Sequence, residues 1–516
     1  MSESEERMTA AYKKARDAFR SGKTRDVEFR RYQLRRLLML MEENEDEIAE
    51  ALAKDMRKPR MEALLTEFLI VKNDIANALN HLSEWVTPEC PEVSMLNKMD
   101  TVFSVSEPLG VALIIGAWNY PIQLTIMPLT GAIAAGNCAI IKPSEISAAA
   151  AQLIEKLIPQ YLDQDCFSVI NGGVEETQYL LNKCIFDKFF YTGGSAVGKL
   201  VMQAAAKNLT RVTLELGGKS PCYIDKDSDL EVAAKRLCWG KFANSGQTCV
   251  APDYVLCHPE IQESLISQLK ETLFDFYGET ISVKVAFKAV VGKRREKIGL
   301  EPMTQQTAAP LRRLKGLLDN GKCVIGGDTD ASQNYISPTV LTGVKPTDPI
   351  MENEVFGPIL PILDVESLED AIDFINDRDK PLALYIFSND KSKIEKIMNS
   401  TSSGGFLAND TVVHVGVTTL PFGGVGGSGM GAYHGKYSFD AFSHKKACLV
   451  KKQNMESLNS LRYPPYEEKS YNWVRWLTEV KEQTYSKLSD IPPLLVSVPV
   501  IMVRKIIGLP YYFLGK

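Results

Sequence analysis

The sequence predicts an α/β protein built on doubly wound parallel sheets. From about residue 103, short apolar runs of strand length alternate with helical patterns, which is the rhythm of β-α-β units. A second stretch with the same alternation runs from about 220 to 430. The chain has 516 residues, which is long enough for two or three domains with a large core.

The first predicted elements are helices, and the strands of the first sheet follow them. Residues 5–85 are predicted to be helical, because apolar residues recur at helical spacing between charges over 30–41. A further helix is predicted over 148–157. Short apolar runs predict strands at 111–115, 138–141, 167–170, 188–191 and 212–216.

The composition argues against several classes of function. The chain has 59 basic and 64 acidic residues, a net charge of −5, so no basic surplus points to nucleic acid. Its five histidines include no HxxxH pair, and we expect no metal site. Its ten cysteines include no CxxC pair, and its start is polar and acidic, without a secretory signal. These features favour a reducing, cytosol-facing compartment in which a free thiol can serve chemistry.

Cys249 closes a small and polar segment, 242–249. A cysteine without context is more often a small buried hydrophobe than a nucleophile. This segment is too polar and too glycine-permissive for a core element, which favours a loop or helix start that presents the thiol. A helix start would lower the pKa of the thiol, and such a thiol can attack a carbonyl carbon.

Glu215 is the one acid in the apolar run 212–216. Two interpretations stay open. The side chain is either a solvated acid on an edge strand, or a partly buried carboxylate whose raised pKa suits a general base. Gly217 and Gly218 follow directly, which indicates that another group approaches the backbone closely.

A glycine-rich turn, 191–199, follows one strand and opens a helical run from about 200 to 206. Glycines there permit a tight turn whose amides bind phosphate oxygens well. The turn contains no GxGxxG, and no clear ribose-binding acid follows it. Candidate ribose contacts lie upstream in 141–145, where the alternative is a plain turn with Ser144 or Glu145 capping a helix.

Three other segments are candidates for a ligand site. Asn119 offers an amide donor just after a strand, although an ordinary turn before a proline is the simpler interpretation. The segment 352–358 combines acids with an aromatic ring, or is a surface turn with one buried ring. The segment 420–431 has six glycines; it is either a flexible linker or, given its apolar and aromatic flanks, an ordered loop near a site.

Taken in order, these motifs resemble the aldehyde dehydrogenase superfamily, in its class 3, fatty aldehyde dehydrogenase branch. The resemblance covers about 10–465, except for 279–312. It is carried by several motifs in register, Glu107–Val111, Trp118–Pro121, Leu214–Pro221, Asn244–Cys249, Glu354–Pro358 and Tyr433–Lys436.

The resemblance implies a chemistry. Cys249 would be the nucleophile, and the Asn119 side chain with the Cys249 backbone amide would hold the oxyanion. Glu215 would activate the water that hydrolyses the thioester. The implied function is the oxidation of medium- to long-chain aliphatic aldehydes to carboxylic acids, through a cysteine thiohemiacetal and a thioester.

The resemblance also implies that NAD, and in some relatives NADP, is the hydride acceptor. It is expected on a five-stranded variant of the Rossmann sheet. Lys142 and Glu145 would contact the adenine-side ribose, and Glu354 with Phe356 the nicotinamide ribose and ring. The pyrophosphate would lie on the turn that contains Gly193, Gly194, Ser195, Val197 and Gly198.

The resemblance divides the chain into two sheet domains and a small bridging β element, and implies a homodimer. The cofactor-binding domain would be 1–90 and 110–217, the bridging element 91–109 and 436–450, the catalytic domain 218–435, followed by a C-terminal extension, 451–490, and a hydrophobic tail, 491–516.

Two segments depart from a simple domain pattern. Residues 279–312 carry a cluster of basic residues and differ from the corresponding family segment.

The tail has an apolar run, 491–503, with three prolines, followed by Arg504 and Lys505. A spanning helix needs about 20 apolar residues, so a monotopic or hairpin anchor fits better. We expect membrane association on the cytosolic face, at the endoplasmic reticulum; the alternative is a cytoplasmic protein whose tail packs on the partner subunit or across the substrate entrance.

Two other functions are compatible with parts of the sequence. A cysteine hydrolase or acyltransferase needs a histidine base, and the nearest in sequence is His258, nine residues after Cys249. A non-catalytic protein on the same scaffold is disfavoured by the intact Cys249, Glu215 and Asn119.

Overall fold

The computed structural model describes residues 2–93, 97–98, 100–278, 309–453, 456–466 and 468–478. Most of the segment 279–312 and the whole of the tail 491–516 lie outside these described residues. The chain forms two compact units, one from residues 1–88 and 105–446 and the other from 89–104 and from 447 onward. Among the described residues, no helix combines the length and the apolar character needed to cross a membrane.

The N-terminal region is helical, as the apolar spacing predicts. Ser2 forms a capping box with Glu5 at the start of the first helix, and Asp26 caps the second. A π-helical turn, Leu64–Phe68, joins the fourth helix to the fifth. The helices are α1 (Glu3–Arg20), α2 (Val27–Glu43), α3 (Glu45–Met56), α4 (Arg60–Ala63) and α5 (Leu69–Trp85).

The first sheet has five parallel strands in the order β6-β5-β2-β3-β4, and a short antiparallel strand, β16, pairs with β6 at its edge. The five parallel strands confirm the sheet predicted from the apolar runs. Its strands are β2 (Val111–Ile115), β3 (Cys138–Lys142), β4 (Phe167–Val169), β5 (Lys188–Thr192), β6 (Arg211–Glu215) and β16 (Gly429–Met430).

Four helices connect these strands. The helix predicted over 148–157 is confirmed, and the helix after the glycine-rich turn begins at Ser195 rather than near residue 200. The Ser144 or Glu145 cap is wrong, because Asp55 accepts the amides of Ala149 and Ala150 instead. The helices are α6 (Gln123–Ala135), α7 (Ala148–Tyr161), α8 (Val174–Lys183) and α9 (Ser195–Ala206).

The second sheet has seven strands in the order β15-β14-β7-β8-β13-β12-β9, and only β9 is antiparallel to its neighbour. This confirms the second α/β stretch. Its strands are β7 (Pro221–Ile224), β8 (Tyr254–Cys257), β9 (Lys322–Ile325), β12 (Thr339–Thr342), β13 (Ile359–Asp364), β14 (Ala383–Phe387) and β15 (Gly405–Ala408). A separate pair consists of β10 (Thr329–Asp330) and β11 (Tyr335–Ile336).

Helices pack on this sheet through buried leucine and isoleucine side chains. They are α10 (Leu230–Phe242), α11 (Pro259–Tyr277), α12 (Ala309–Leu317), α13 (Pro349–Glu352), α14 (Leu368–Asn376) and α15 (Lys391–Ser400). The helix α16 (Gly435–Ala441) packs on α5 and α6 instead.

A two-stranded ribbon pairs β1 (Thr101–Pro108) with β17 (Ser443–Val450). Each strand lies inside a segment expected to form the bridging element, although the start of the later segment is helix α16 rather than strand. Beyond the ribbon the chain forms α17 (Glu456–Asn459) and α18 (Glu468–Thr478).

The order of the strands fixes where a ligand can bind. The chain runs from β2 outward through β3 and β4, then returns to the other side of β2 as β5. This change of direction opens a crevice at the carboxyl ends of β2 and β5, where open α/β sheets bind ligands. Asn119 follows β2 and Gly193 follows β5, so both lie at this edge.

Candidate active site

A single large cavity brings together the candidate residues that the sequence analysis selected. Its volume is about 1100 Å³, slightly above the range of about 300–1,000 Å³ that is common for ligand pockets. It lies within the larger unit. Of the candidates, Gly198 alone does not line it, because Gly198 packs against Leu216 on the inner face of α9.

The Cys249 loop is held in a left-handed conformation. Asn244, Ser245 and Gly246 have φ angles of 49°, 57° and 75°, which L-residues adopt only at some cost. A Cβ atom on Gly246 would lie 2.3 Å from the carbonyl oxygen of Gly357. Glycine is therefore required there, because the loop passes directly against the segment that carries Glu354.

The Cys249 thiol is partly exposed to the cavity. Of the two settings expected for this residue, the loop is found and the helix start is not, because Cys249 lies in a turn closed by a 2.8 Å bond from the Ala251 amide to the Thr248 carbonyl. Burial raises the pKa of the thiol, and the nearby carboxylates of Glu354 and Glu215 raise it further. The amides of Cys249 and Val250 oppose this by favouring the thiolate.

The Asn119 side chain is fixed against the cysteine loop. Its Nδ2 donates to the backbone carbonyl of Gln247 at 3.0 Å, and the backbone carbonyl of Asn119 accepts from Asn244 Nδ2 at 2.9 Å. An amide nitrogen carries two hydrogens, so one hydrogen of Asn119 Nδ2 stays available toward the cavity. The adjacent Tyr120 hydroxyl bonds to Thr248 Oγ1 at 2.6 Å, which ties the loop to the residue before Cys249.

Glu215 lies at the end of β6 and is 3% exposed. The structure thus supports the buried-carboxylate interpretation over the solvated one. Neither carboxylate oxygen has a hydrogen-bond partner among the described residues. Burial raises the pKa of Glu215 well above its usual value, and the positive charge of Lys188 opposes this shift.

The glycine-rich segment 420–431 is an ordered loop beside the site, as one of its two interpretations predicted. Its strand β16 pairs Gly429 with Glu215, and the carbonyl of Ser428 accepts the amide of Leu216 at 3.1 Å. The loop therefore fixes the backbone on which the buried carboxylate sits.

The turn after β5 leaves room for a ligand at the start of α9. Gly193 donates its amide to the carbonyl of Glu215 at 3.0 Å, and a Cβ on Gly194 would meet nothing within 4 Å. Ser195 and Val197 in the first turn of α9 line the cavity and are exposed to it. An open helix start of this kind binds phosphate oxygens.

Lys142 and Glu145 form an ion pair at the carboxyl end of β3. Lys142 is buried, and its Nζ lies 2.8 Å from Glu145 Oε2 and 3.1 Å from the Pro143 carbonyl. Glu145 remains half-exposed. Both side chains line the same cavity as the turn after β5.

Glu354 and Phe356 reach the cavity from the second sheet. A Cβ on Gly217 would lie 2.1 Å from Glu354 Oε2, so the glycine gives the carboxylate its space. The Phe356 ring packs edge-to-face on Trp118, with 5.7 Å between the ring centroids. Neither belongs to a plain surface turn, because both line the cavity. Burial and the nearby Asp253 raise the pKa of Glu354 well above its usual value.

Sequence reasoning missed a group of buried charges behind Glu354. Asp253 accepts from Lys219 at 2.5 Å and from the Val355 amide at 3.0 Å. Lys241 is fully buried, 3.8 Å from Asp253, and burial lowers its pKa to about 8. Of these charged residues, only Lys219 belongs to a motif selected above. Nothing in the sequence distinguishes Lys241, inside α10, from an exposed lysine.

The donor set of the cavity fits a dinucleotide. A buried cation, an open helix start and an enclosed carboxylate lie along its wall, and the buried Thr192 hydroxyl facing it has no partner among the described residues. No histidine of the described residues lines this cavity, and His258 lines a different one. The site therefore lacks the histidine base that a cysteine hydrolase needs.

Comparisons with known proteins agree with this geometry. A family model described as "Aldehyde dehydrogenase family" matches residues 1–448. Aldehyde dehydrogenase family 3 member A2 of Rattus norvegicus is 49% identical over 469 residues, covering 91% of this chain and 94% of that protein. The protein named aldehyde dehydrogenase, dimeric NADP-preferring, of Rattus norvegicus is 51% identical, covering 88% of this chain and 96% of its own.

Among solved structures, the substrate-bound state of Staphylococcus aureus AldH is similar throughout. It superposes with a TM-score of 0.85 at 41% identity, covering 91% of this chain and 98% of that chain.

Proposed function

The chain belongs to the aldehyde dehydrogenase family, and on that basis we propose that it oxidises medium- to long-chain aliphatic aldehydes to carboxylic acids with NAD or NADP. The observation that carries the proposal is one cavity lined by a thiol, a buried carboxylate, an amide donor and an open helix start. These are the groups needed to form a thioester, to hold a dinucleotide and to hydrolyse the thioester.

We assign Cys249 as the nucleophile. Its thiolate, formed when the thiol gives its proton to water, attacks the aldehyde carbon, and the carbonyl oxygen becomes the oxyanion of a thiohemiacetal. Asn119 Nδ2 and the Cys249 backbone amide donate to that oxygen; each such donor contributes about 3–4 kcal/mol to lowering the barrier. A dinucleotide held in the cavity would supply the hydride acceptor. Loss of the hydride from the thiohemiacetal carbon leaves a thioester on Cys249.

Glu215 completes the reaction. Its carboxylate removes a proton from a water molecule, the hydroxide adds to the thioester carbon, and the bond to Cys249 breaks to release the acid. Neither Glu215 oxygen has a protein partner among the described residues, which supports this role, because an oxygen that takes a proton from water must not be occupied by another donor.

The remaining candidates are assigned to the dinucleotide. Lys142 and Glu145 contact the adenine-side ribose, the turn at 193–198 holds the pyrophosphate through its amides, and Glu354 with Phe356 holds the nicotinamide ribose and ring. Their position on the wall of one cavity supports this assignment for all but Gly198, which acts by letting α9 pack closely on Leu216.

The same geometry supports a division of labour between domains. We propose that 1–90 with 110–217 forms the cofactor-binding domain and 218–435 the catalytic domain, since the five parallel strands of the first sheet lie in the former and the seven strands of the second sheet in the latter. Residues 91–109 and 436–450 are proposed to bridge two subunits of a homodimer, which the printed name of the dimeric Rattus norvegicus relative supports.

Purified protein mixed with hexadecanal and NAD is expected to produce NADH, measured as an increase in absorbance. We expect kcat/KM to be higher for hexadecanal than for propanal, because a longer apolar chain buries more surface in the complex. A higher kcat/KM for propanal would reject the long-chain assignment alone. No NADH or NADPH formation with any aldehyde would reject the proposed function.

Membrane association is a separate proposal that depends on the sequence of 491–516. The apolar run 491–503 followed by Arg504 and Lys505 suits an interfacial anchor whose cations reach the headgroups. We propose that this tail holds the enzyme at the cytosolic face of a membrane, at the endoplasmic reticulum, near substrates that partition into lipid.

Deleting 490–516 is expected to move the protein from the membrane fraction to the supernatant, measured by sedimentation of lysed cells. Activity toward soluble propanal should persist, because the residues assigned to catalysis, Cys249, Glu215 and Asn119, lie outside the deleted segment. A truncated protein that still sediments with membranes would contradict the anchor, and an active wild type found in the supernatant would favour the cytoplasmic alternative.

A further inference from the structure

We propose that the buried ion pair of Lys58 and Glu67 is a positioning device that sets the Asn119 loop against Cys249. The proposal rests on the role assigned above to Asn119 as an oxyanion donor. The pair lies outside the cavity lining and belongs to none of the motifs that the sequence analysis selected. Each charged group nevertheless contacts the loop that carries Asn119.

Glu67 fixes the end of that loop with one carboxylate oxygen and binds Lys58 with the other. It is completely buried. Its Oε1 accepts from Lys58 Nζ at 2.6 Å, and its Oε2 accepts the amides of Ile122 and Gln123 at 2.9 and 3.3 Å. The carboxylate therefore satisfies two amides at the start of α6, three and four residues after Asn119.

Lys58 fixes the middle of the loop. Its ammonium group lies over the ring of Tyr120, 4.2 Å from the ring centroid, which is a favourable cation–π distance. Tyr120 directly follows Asn119, and its hydroxyl bonds to Thr248 Oγ1 at 2.6 Å. The ion pair is thus connected through one ring to the residue before the nucleophile.

The same segment also holds the cysteine loop. Glu62 Oε1 accepts the backbone amide of Asn244 at 2.7 Å, where the chain is left-handed, and Asn244 Nδ2 bonds to the Asn119 carbonyl at 2.9 Å. The π-helical turn 64–68 follows Glu62 and contains Glu67, and such turns are frequent at functional sites. The segment 58–67 therefore contacts both the Asn119 loop and the Cys249 loop.

Burial of this pair is costly unless every oxygen and proton is used. A buried ion pair is often no more stabilising than apolar residues of similar volume. Here the Glu67 oxygens are all bonded, and every partner other than Lys58 belongs to the Asn119 loop or the first turn of α6. Positioning of the Asn119 loop therefore explains the burial of these two charges better than a gain in stability does.

The variant Glu67→Gln tests the proposal with three measurements. We expect kcat for aldehyde oxidation to fall about 100-fold, the effect typical of a misplacement of about 1 Å. The rate of Cys249 alkylation by iodoacetamide should change by no more than about twofold, because alkylation forms no oxyanion and removes no transition-state donor. NADH affinity, from fluorescence titration, should also be unchanged.

A matched control is Glu47→Gln, which breaks an ion pair of the same 2.6 Å length with Lys156 on the surface. It should leave all three measurements unchanged. If Glu67→Gln does not fold, the double variant Lys58→Met/Glu67→Gln removes both buried charges and is expected to show the same selective loss of kcat.

Three results would overturn the proposal. A folded variant with normal kcat excludes positioning, and a parallel loss of kcat, alkylation and NADH binding indicates a purely structural role. Asn119→Ala separates this proposal from the proposed function. If Asn119→Ala leaves oxidation unchanged, the oxyanion assignment itself fails; if it slows oxidation while Glu67→Gln does not, only the positioning role fails.

Discussion

Replacing Cys249 with alanine is expected to lower kcat for aldehyde oxidation by about 10⁴-fold or more, the scale seen when a covalent nucleophile is removed. Without the sulfur, no thiohemiacetal forms and no oxyanion is presented to Asn119. NADH should still bind, because Cys249 makes none of the contacts assigned to the ribose, pyrophosphate or adenine. Steady-state NADH formation and a fluorescence titration with NADH measure the two effects separately.

The control for this prediction is Cys90→Ser, which removes an exposed thiol in the smaller unit. That variant should keep the wild-type rate, and iodoacetamide should inactivate it as it inactivates the wild type. A Cys249→Ala protein that turns over at more than a few per cent of the wild-type rate would exclude covalent catalysis through this residue.

The charges around Cys249 suit an anionic cofactor. Six basic and five acidic residues line the cavity. Burial shifts two of the acids, Glu215 and Glu354, toward their neutral forms by raising their pKa well above the usual value. The cavity wall is thus more positive than its composition suggests, which favours a diphosphate. The same burial raises the pKa of the Cys249 thiol, so its activation has to come from the local amides and the bound reactants.

The sheets could be predicted from the sequence because their strands are buried on both faces. Residues 111–115 and 138–142 are entirely buried in the structure, and such strands read as continuous apolar runs. The site could be predicted in part because its residues follow these strands directly. Asn119 and Gly193 lie just beyond strand ends, where the topology brings short loops together.

The supporting contacts could not be predicted, because they join residues distant in sequence without a local pattern. Asp55 binds the first amides of α7, 94 and 95 residues away. Glu67 binds the amide of Ile122, 55 residues away. The raised pKa of Cys249 could not be predicted for the same reason, since it depends on burial and on Glu354, which is remote in sequence.

Replacing Glu215 with glutamine is expected to lower steady-state turnover by about 10²–10⁴-fold, the usual contribution of a general base. Glutamine has a similar size but cannot accept the proton of the attacking water. Thioester formation precedes that step, so the first turnover should still release one NADH per active site in a rapid burst. Stopped-flow absorbance measures the burst and the slow phase. The exposed variant Glu231→Gln is the control and should show neither change.

The pH dependence gives the same prediction a second test. Because burial raises the pKa of Glu215, the group is protonated at pH values where an exposed glutamate is ionised. Wild-type turnover should therefore rise with pH as Glu215 loses its proton, and this rise should be absent from the slow phase of Glu215→Gln. Lys188, whose own pKa burial lowers to about 7, favours the ionised carboxylate only while it is charged.

Stability should follow the same titration with a defined sign. A group whose pKa is raised on folding contributes stability that is fully present below its unfolded pKa and is lost as pH rises through the folded pKa. For Glu215 the window opens above 4.5, its usual value, and extends upward to the raised folded value. Thermal unfolding should therefore show Glu215→Gln gaining stability relative to wild type as the pH is raised from acidic to alkaline. Equal pH dependence in the two proteins would mean that folding does not raise the pKa of Glu215. The carboxylate would then already be ionised in the folded enzyme and could act as a base without first losing a proton.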